Sequence, residues 1–144
     1  NNPFNGFRVG GLLAKEPGEP NWAASLAGLA CGASAQAEWK NAIDGVTEAP
    51  NCENHQAGVG ESVNLRLCRL ANGDLVGGYS VGQGGSWVDL YNDDSYPVVS
   101  VPGPIDVGIT AYKADDVDGG VPVAEFVYLN IEALENDEDC FVGG

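Results

Sequence analysis

Positively charged residues are scarce in this chain. It has 6 Lys and Arg residues against 21 Asp and Glu residues, which gives a formal net charge of −15. Binding to a nucleic acid depends on cations that neutralise phosphates, so this charge argues against a nucleic-acid partner. The chain also lacks an apolar run that approaches the roughly 20 residues of a membrane-spanning helix. We therefore expect no nucleic-acid partner and no membrane span.

Methionine is absent, even at position 1, and no basic and apolar signal segment opens the chain. Removal of a secretion signal would leave such a start, so we expect a secreted, extracellular protein. The four cysteines contain no C-x-x-C pair, which argues against a zinc ribbon or a redox site and predicts two disulfides. Of the three pairings that four cysteines allow, we favour Cys31–Cys52 together with Cys68–Cys140.

Length and composition indicate one mainly β domain. The chain has 144 residues, of which 44% are hydrophobic, enough for one core. From residue 62 on, apolar and polar residues alternate as in half-buried strands, and Asn72-Gly73 predicts a β-hairpin with a type I′ turn. We expect an antiparallel β-sandwich or barrel of about 6–7 strands over residues 62–134. Its predicted strands include residues 63–68, 87–91, 96–101, 105–112 and 121–131.

Residues 21–45 are expected to be helical. They are rich in Ala and contain no Pro, Asn21 can cap a helix, and Trp22, Leu26 and Leu29 fit helical spacing. We therefore expect a short Ala-rich helical segment near the N-terminus, packed on the β core. Turn residues predict an extended segment and a loop over 1–20 and a loop over 46–61, while 135–144 form an acidic tail too charged to bury.

Negative charge is concentrated in the second half of the chain. Residues 73–144 have 14 acidic and 1 basic side chains, whereas residues 1–72 have 7 and 5. Clustered carboxylates are the hard oxygen ligands that Ca²⁺ takes, although Gly120 and Val127 at ligand positions exclude an EF-hand. A solvated acidic surface and attraction of a basic partner are the alternatives. The candidate calcium ligands are Asp93, Asp94, Asp115, Asp116 and Asp118.

The segment around Trp87 is the candidate binding face. If Val88 and Leu90 face the core, then Trp87 and Asp89 share the outer face with Tyr91. Aromatic rings beside carboxylates and amides suit a sugar, so we expect a glycan or a cell-surface partner with calcium assistance. The alternative is that Trp87 itself faces the core. The candidate ligand-binding residues are Trp87, Asp89, Tyr91, Asn92 and Tyr96.

Two other function classes stay open. The glycine-spaced apolar segment 4–13 could pair with an open sheet edge of another copy, which would make a self-assembling fibre or oligomer. A small secreted hydrolase would use the carboxylates of Glu125 and Asp106 in acid/base chemistry. His55 is the single histidine and no nucleophile motif accompanies it. The sequence thus favours a binding protein over an enzyme, and its composition resembles that of small effector proteins that microbes secrete.

Overall fold

The computed structural model describes residues 7–30, 34–53, 62–90, 98–114 and 124–140. Within these ranges the fold is mainly β, as predicted, and it consists of two antiparallel sheets. The first sheet has the order β4-β3-β2-β1-β8 and the second has the order β5-β6-β7. The strands are β1 (Phe7–Lys15), β2 (Trp22–Ala30), β3 (Ser34–Ile43), β4 (Val46–Glu53), β5 (Val63–Arg69), β6 (Leu75–Val81), β7 (Val88–Asp89) and β8 (Asp106–Ala114).

The predicted Ala-rich helix over residues 21–45 is wrong, because these residues form β2 and β3. The strand β2 is apolar on both faces: Ala23 belongs to the core between the sheets, whereas Ala24 and Leu26 belong to a separate cluster on the opposite face. A strand that buries both faces shows no period-two alternation, and its Ala content imitates a helix. The predicted loop over 46–61 is likewise replaced by β4 in its first eight residues.

Asn21, which we expected to cap a helix, instead supports the turn between β3 and β4. Its Oδ1 accepts a hydrogen bond of 2.9 Å from the backbone N–H of Asp44, and its Nδ2 donates one of 2.8 Å to Glu16 Oε2. The two-residue loop Asp44-Gly45 has φ angles of 51° and 79°, as a type I′ turn requires. The loop between β1 and β2 is the turn-rich connection that the sequence predicts.

The predicted hairpin at Asn72-Gly73 is confirmed, and it joins β5 to β6. The strands pair from Val63 opposite Val81 to Arg69 opposite Leu75. Only Gly73 of the two turn residues has a positive φ, of 94°, and its N–H donates to the carbonyl oxygen of Leu70 at 2.9 Å. The connection is therefore a three-residue loop that ends in a left-handed glycine, and the expected type I′ turn is wrong.

The main core lies between the two sheets. Trp39 of β3 is fully buried there, together with Leu75, Tyr79 and Leu90 from the second sheet and its flank. A Cβ atom on Gly77 would lie 2.5 Å from the Trp39 ring, so the strand needs glycine at this point to let the ring in. Among the described strands, neither sheet closes on itself, since β4 and β8 are the edges of the first one and β5 and β7 those of the second, and the barrel alternative is therefore wrong.

The last part of the predicted β core differs from expectation. β8 confirms the predicted strand over 105–112, but Val107 and Ile109, expected inside, are 54% and 52% exposed. The predicted strand over 121–131 is wrong in its described part, since residues 124–134 are irregular. In the described part of residues 96–101, an isolated bridge between Ser100 and Asp74 stands in place of the predicted strand. Val99 and Val101 are nevertheless buried in the main core, whereas residues 125–134 are exposed.

The predicted disulfide Cys68–Cys140 is confirmed and connects β5 to the C-terminal region. Cys140 ends a short 3-10 helix, Asp137–Cys140, in which Asp137 Oδ1 accepts a hydrogen bond of 2.8 Å from the backbone N–H of Ala71. Part of the acidic tail is thus docked, with Cys140 buried. The other predicted pair, Cys31–Cys52, includes Cys31, which lies outside the described residues. No helix in the described ranges has the length and apolar character to cross a membrane.

Candidate ligand-binding cavity

The face of the first sheet that points away from the second sheet contains a cavity of about 380 Å³. Leu13, Trp22 and Ala24 supply most of its apolar surface and belong to the cluster that also contains Val9 and Leu26. They lie on one face because Leu13 is opposite Ala24 and Lys15 is opposite Trp22 in the pairing of β1 with β2. All five strands of the sheet contribute to the described lining: Leu13, Lys15, Trp22, Ala24, Lys40, Thr47 and Thr110.

The cavity extends from one edge of this sheet to the other. Thr47 belongs to the edge strand β4 and Thr110 to the opposite edge strand β8. Four strand spacings separate such edges by about 19 Å in a flat sheet. A cavity that contacts both threonines therefore spans the full width of the sheet.

Two of the six basic residues of the chain line this cavity. Lys15 ends β1 and is exposed, whereas Lys40 lies on β3 and is half-buried. Their strands flank β2, so the two backbones are about 10 Å apart. Each lysine has an acidic neighbour, since Asp106 lies opposite Lys15 in the pairing of β1 with β8 and Glu38 precedes Lys40 by two residues on the same face. Two lysines and their acidic neighbours thus lie around an apolar interior.

Glu38 is a buried acidic residue on the same face as the cavity. It lies opposite Leu26 in the pairing of β2 with β3, and it is only 1% exposed. Its Oε2 atom has no hydrogen-bond partner among the described residues. Burial raises the pKa of the Glu38 carboxyl, and the attraction of the nearby Lys40 ammonium lowers it by less. The neutral form of this side chain is therefore favoured relative to an exposed glutamate.

The predicted binding face around Trp87 is present in part. Of the two residues that this face requires in the core, Leu90 is fully buried, but Val88 is 40% exposed. The guanidinium carbon of Arg66 lies 4.3 Å from the centre of the Trp87 ring, and Arg66 Nη2 lies 3.7 Å from Asp89 Oδ1. Trp87 and Asp89 thus meet on one surface, and Arg66 covers one side of the indole ring. Sequence reasoning did not single out Arg66, although it faces outward from β5 by alternation.

Most of the other predicted site residues lie outside the described ranges. Within those ranges no group of three or more potential metal ligands occurs. Calcium binding therefore stays a prediction. The residues in question are the candidate ligand-binding residues Tyr91, Asn92 and Tyr96, the candidate calcium ligands Asp93, Asp94, Asp115, Asp116 and Asp118, and His55.

The residues of the two alternative functions are placed differently from expectation. Glu125 is exposed in an irregular segment rather than pointing inward from a strand, and Asp106 is exposed on β8. The N-terminal strand β1 pairs on both sides, with β2 and with β8, so neither of its edges is open. The hydrolase and the strand-donation hypotheses stay predictions without a structural feature in their favour.

Comparisons of the chain with protein-family models, with curated proteins and with solved structures find no match. The geometry of the chain is therefore the basis for any functional assignment.

The cavity was missed by the sequence analysis, although a signal for it exists. If residues 21–45 are placed on two antiparallel strands with the register of β2 and β3, then Trp22 and Ala24 fall on one face, and Lys40 falls on the same face of the next strand. An amphipathic pair of this kind predicts an apolar surface with a charged rim. Helical periodicity places the same residues on different faces of a helix, so the helical interpretation did not bring them together.

Proposed function

We propose that this protein is an extracellular binding protein that holds a small, mainly apolar molecule in the cavity of its five-stranded sheet. The observation that carries the proposal is the cavity of about 380 Å³ on one face of this sheet, a volume in the range of about 300–1,000 Å³ of small-molecule sites. The apolar side chains of Leu13 and Trp22 would cover the ligand on its two sides.

Two further features support this proposal. Among the described residues, the apolar cluster on the cavity face is separate from the core between the sheets, which is built from other residues. The disulfide Cys68–Cys140 is typical of proteins in oxidising compartments, which agrees with a role outside the cell. In a sandwich-like arrangement, the second sheet would pack against one face of the five-stranded sheet, and the cavity on the opposite face would be accessible to a ligand.

The test is a titration with N-phenyl-1-naphthylamine, an uncharged apolar dye that fluoresces when it leaves water. We expect saturable binding at one site in the unmodified protein, with quenching of Trp22. Ala24→Leu adds methyl groups to the cavity lining and should weaken binding at least about tenfold, since the space is lost. Thr47→Trp, at the exposed edge of the cavity, is a second blocking variant that does not disturb a buried position.

Ala111→Leu is the matched control, because Ala111 is exposed on β8 and alternates with the cavity residue Thr110. This control should bind the dye as the unmodified protein does. Absence of saturable binding in the unmodified protein would overturn the proposal. Equal binding by folded Ala24→Leu and Thr47→Trp variants would also overturn it, since the dye would then occupy another apolar surface.

Binding of a glycan at the Trp87 surface is the second candidate function. The proximity of Trp87, Asp89 and Arg66 favours it, because an aromatic ring beside charged hydrogen-bonding groups is suited to a sugar. Calcium assistance belongs to this candidate. A glycan array probed with the unmodified protein and with Trp87→Ala, with and without calcium, separates it from the first, since Trp87→Ala should lose glycan binding and keep dye binding.

A further inference from the structure

We propose that the cavity ligand is an amphipathic anion, whose apolar body lies along Leu13 and Trp22 and whose single anionic group lies between Lys15 and Lys40. This inference rests on the proposed function and adds the chemical class of the ligand. A carboxylate or a sulfonate on a compact apolar skeleton is the chemistry that such a site recognises.

The placement of the two lysines is the first part of the evidence. Lys15 lies opposite Trp22, and Lys40 lies opposite Ala24 on the other side of β2. Both side chains therefore project from the same face on either side of the apolar floor. A lysine stem is flexible and its ammonium has three donors, so the two groups can approach one anion from both sides.

The charge distribution is the second part of the evidence. A chain with a net charge of −15 repels anions over most of its surface. Two of only 6 basic residues nevertheless line one cavity. Lys15 forms no ion pair with the described residues, and Asp106, its opposite neighbour, is exposed to water, which screens its charge. An anion would thus be attracted to the two lysines at this rim.

Glu38 fits the same picture. Its carboxyl lies beyond Lys40 on the cavity face and is buried beside Leu26. Because burial raises its pKa, the Glu38 carboxyl is ionised to a smaller extent than that of an exposed glutamate. It therefore neutralises less of the positive charge of Lys40. Any negative charge that it does carry would repel an anionic group from this buried end. The orientation of the ligand then follows, with the anion at the rim and the apolar body inside.

The experiment compares two dyes of nearly the same shape. 8-Anilinonaphthalene-1-sulfonate carries the skeleton of N-phenyl-1-naphthylamine with a sulfonate added. We expect the unmodified protein to bind the sulfonate dye at least about fivefold more tightly than the neutral one, despite the negative charge of the protein. Lys15→Met and Lys40→Met should each weaken binding of the sulfonate dye about fivefold or more and change binding of the neutral dye less than twofold.

Gln83→Glu is the matched control for charge. Gln83 is exposed in the turn after β6, and the substitution lowers the net charge by one, as each lysine variant does. It should leave the affinity for both dyes unchanged. Added salt should weaken binding of the sulfonate dye only, since the anionic contact lies at the rim.

The outcomes separate this inference from the proposed function. Binding of both dyes with equal affinity, unaffected by the lysine variants, overturns the anion site and leaves a neutral cavity ligand. Tighter binding of the sulfonate dye that persists in both lysine variants overturns the assignment of the anion to these lysines. Binding of neither dye overturns the proposed function together with this inference.

Discussion

Glu38 is an ionisable side chain at an almost fully buried position. A carboxylate at 1% exposure loses its hydration, and its Oε2 gains no hydrogen bond from the described residues in return. Such a group destabilises the fold when it is charged and does so less when it is protonated. The position is therefore costly for stability, which is typical of residues that serve a site.

The pH dependence of stability follows from this burial. Because the folded protein raises the pKa of Glu38, it binds a proton that the unfolded chain has released at the same pH. The contribution of Glu38 to stability is therefore most favourable below the ordinary pKa of 4.5 and is lost as the pH rises from there through the raised pKa. We expect Glu38→Gln to raise the free energy of unfolding by about 1 kcal/mol at pH 7.

Urea unfolding at pH 7 and at pH 4 measures this effect. The gain from Glu38→Gln should shrink at pH 4, since both side chains are then neutral. The exposed Glu132→Gln variant serves as the control and should leave stability unchanged at both values. A gain of the same size at both pH values would mean that charge burial is not its cause.

The hairpin between β5 and β6 shows how a local sequence signal and tertiary contacts combine. Asn72-Gly73 predicted the hairpin because glycine adopts a positive φ without steric cost. Packing decided the turn type: Val101 N–H donates to the Gly73 carbonyl at 2.8 Å, and Pro102 lies against the glycine. Residues 99–101 thus attach to the hairpin through a bridge rather than through a long strand.

Gly73→Ala tests this element. Its φ of 94° strains any L-residue, and the new Cβ would lie 3.0 Å from Pro102 Cα and N. We expect a loss of about 2 kcal/mol in the free energy of unfolding, measured by urea titration. Gly84→Ala is the matched control, because its φ is also positive, at 73°, while nothing lies within 4 Å. Equal losses in the two variants would show that crowding at Pro102 contributes nothing.

At the scale of the whole molecule, one covalent link ties the second sheet to the C-terminal region. Cys68 and Cys140 are separated by 72 residues, and they pack with Val76 in a small buried cluster. A cross-link that closes so long a loop lowers the conformational entropy of the unfolded chain. The link also holds the acidic 3-10 helix next to the hairpin, where Asp137 accepts its hydrogen bond from Ala71.

Replacement of both Cys68 and Cys140 with Ala should lower the free energy of unfolding by about 4 kcal/mol. Urea unfolding under non-reducing conditions measures this loss. Limited proteolysis should then cleave near Asp139, which the bridge protects in the unmodified protein. If the midpoint of unfolding and the proteolytic pattern were unchanged, the bridge would not be a stabilising element of the fold.

The sequence by itself determined the features that depend on local or global chemistry. The mainly β fold, the hairpin at Asn72-Gly73 and the strand β8 were predicted, because turn geometry and alternation are local patterns. The number and spacing of the cysteines predicted two disulfides but left three pairings open, of which Cys68–Cys140 belonged to the favoured one.

Only the tertiary structure decided which faces are buried and which residues meet. β2 is apolar on both faces, and local propensity cannot distinguish such a strand from an Ala-rich helix. The described lining of the cavity comes from all five strands of the first sheet, whose pairing places Lys15, Lys40 and the buried Glu38 on one face. Those contacts join residues that are distant in sequence, and strand pairing, which is a property of the folded chain as a whole, sets them.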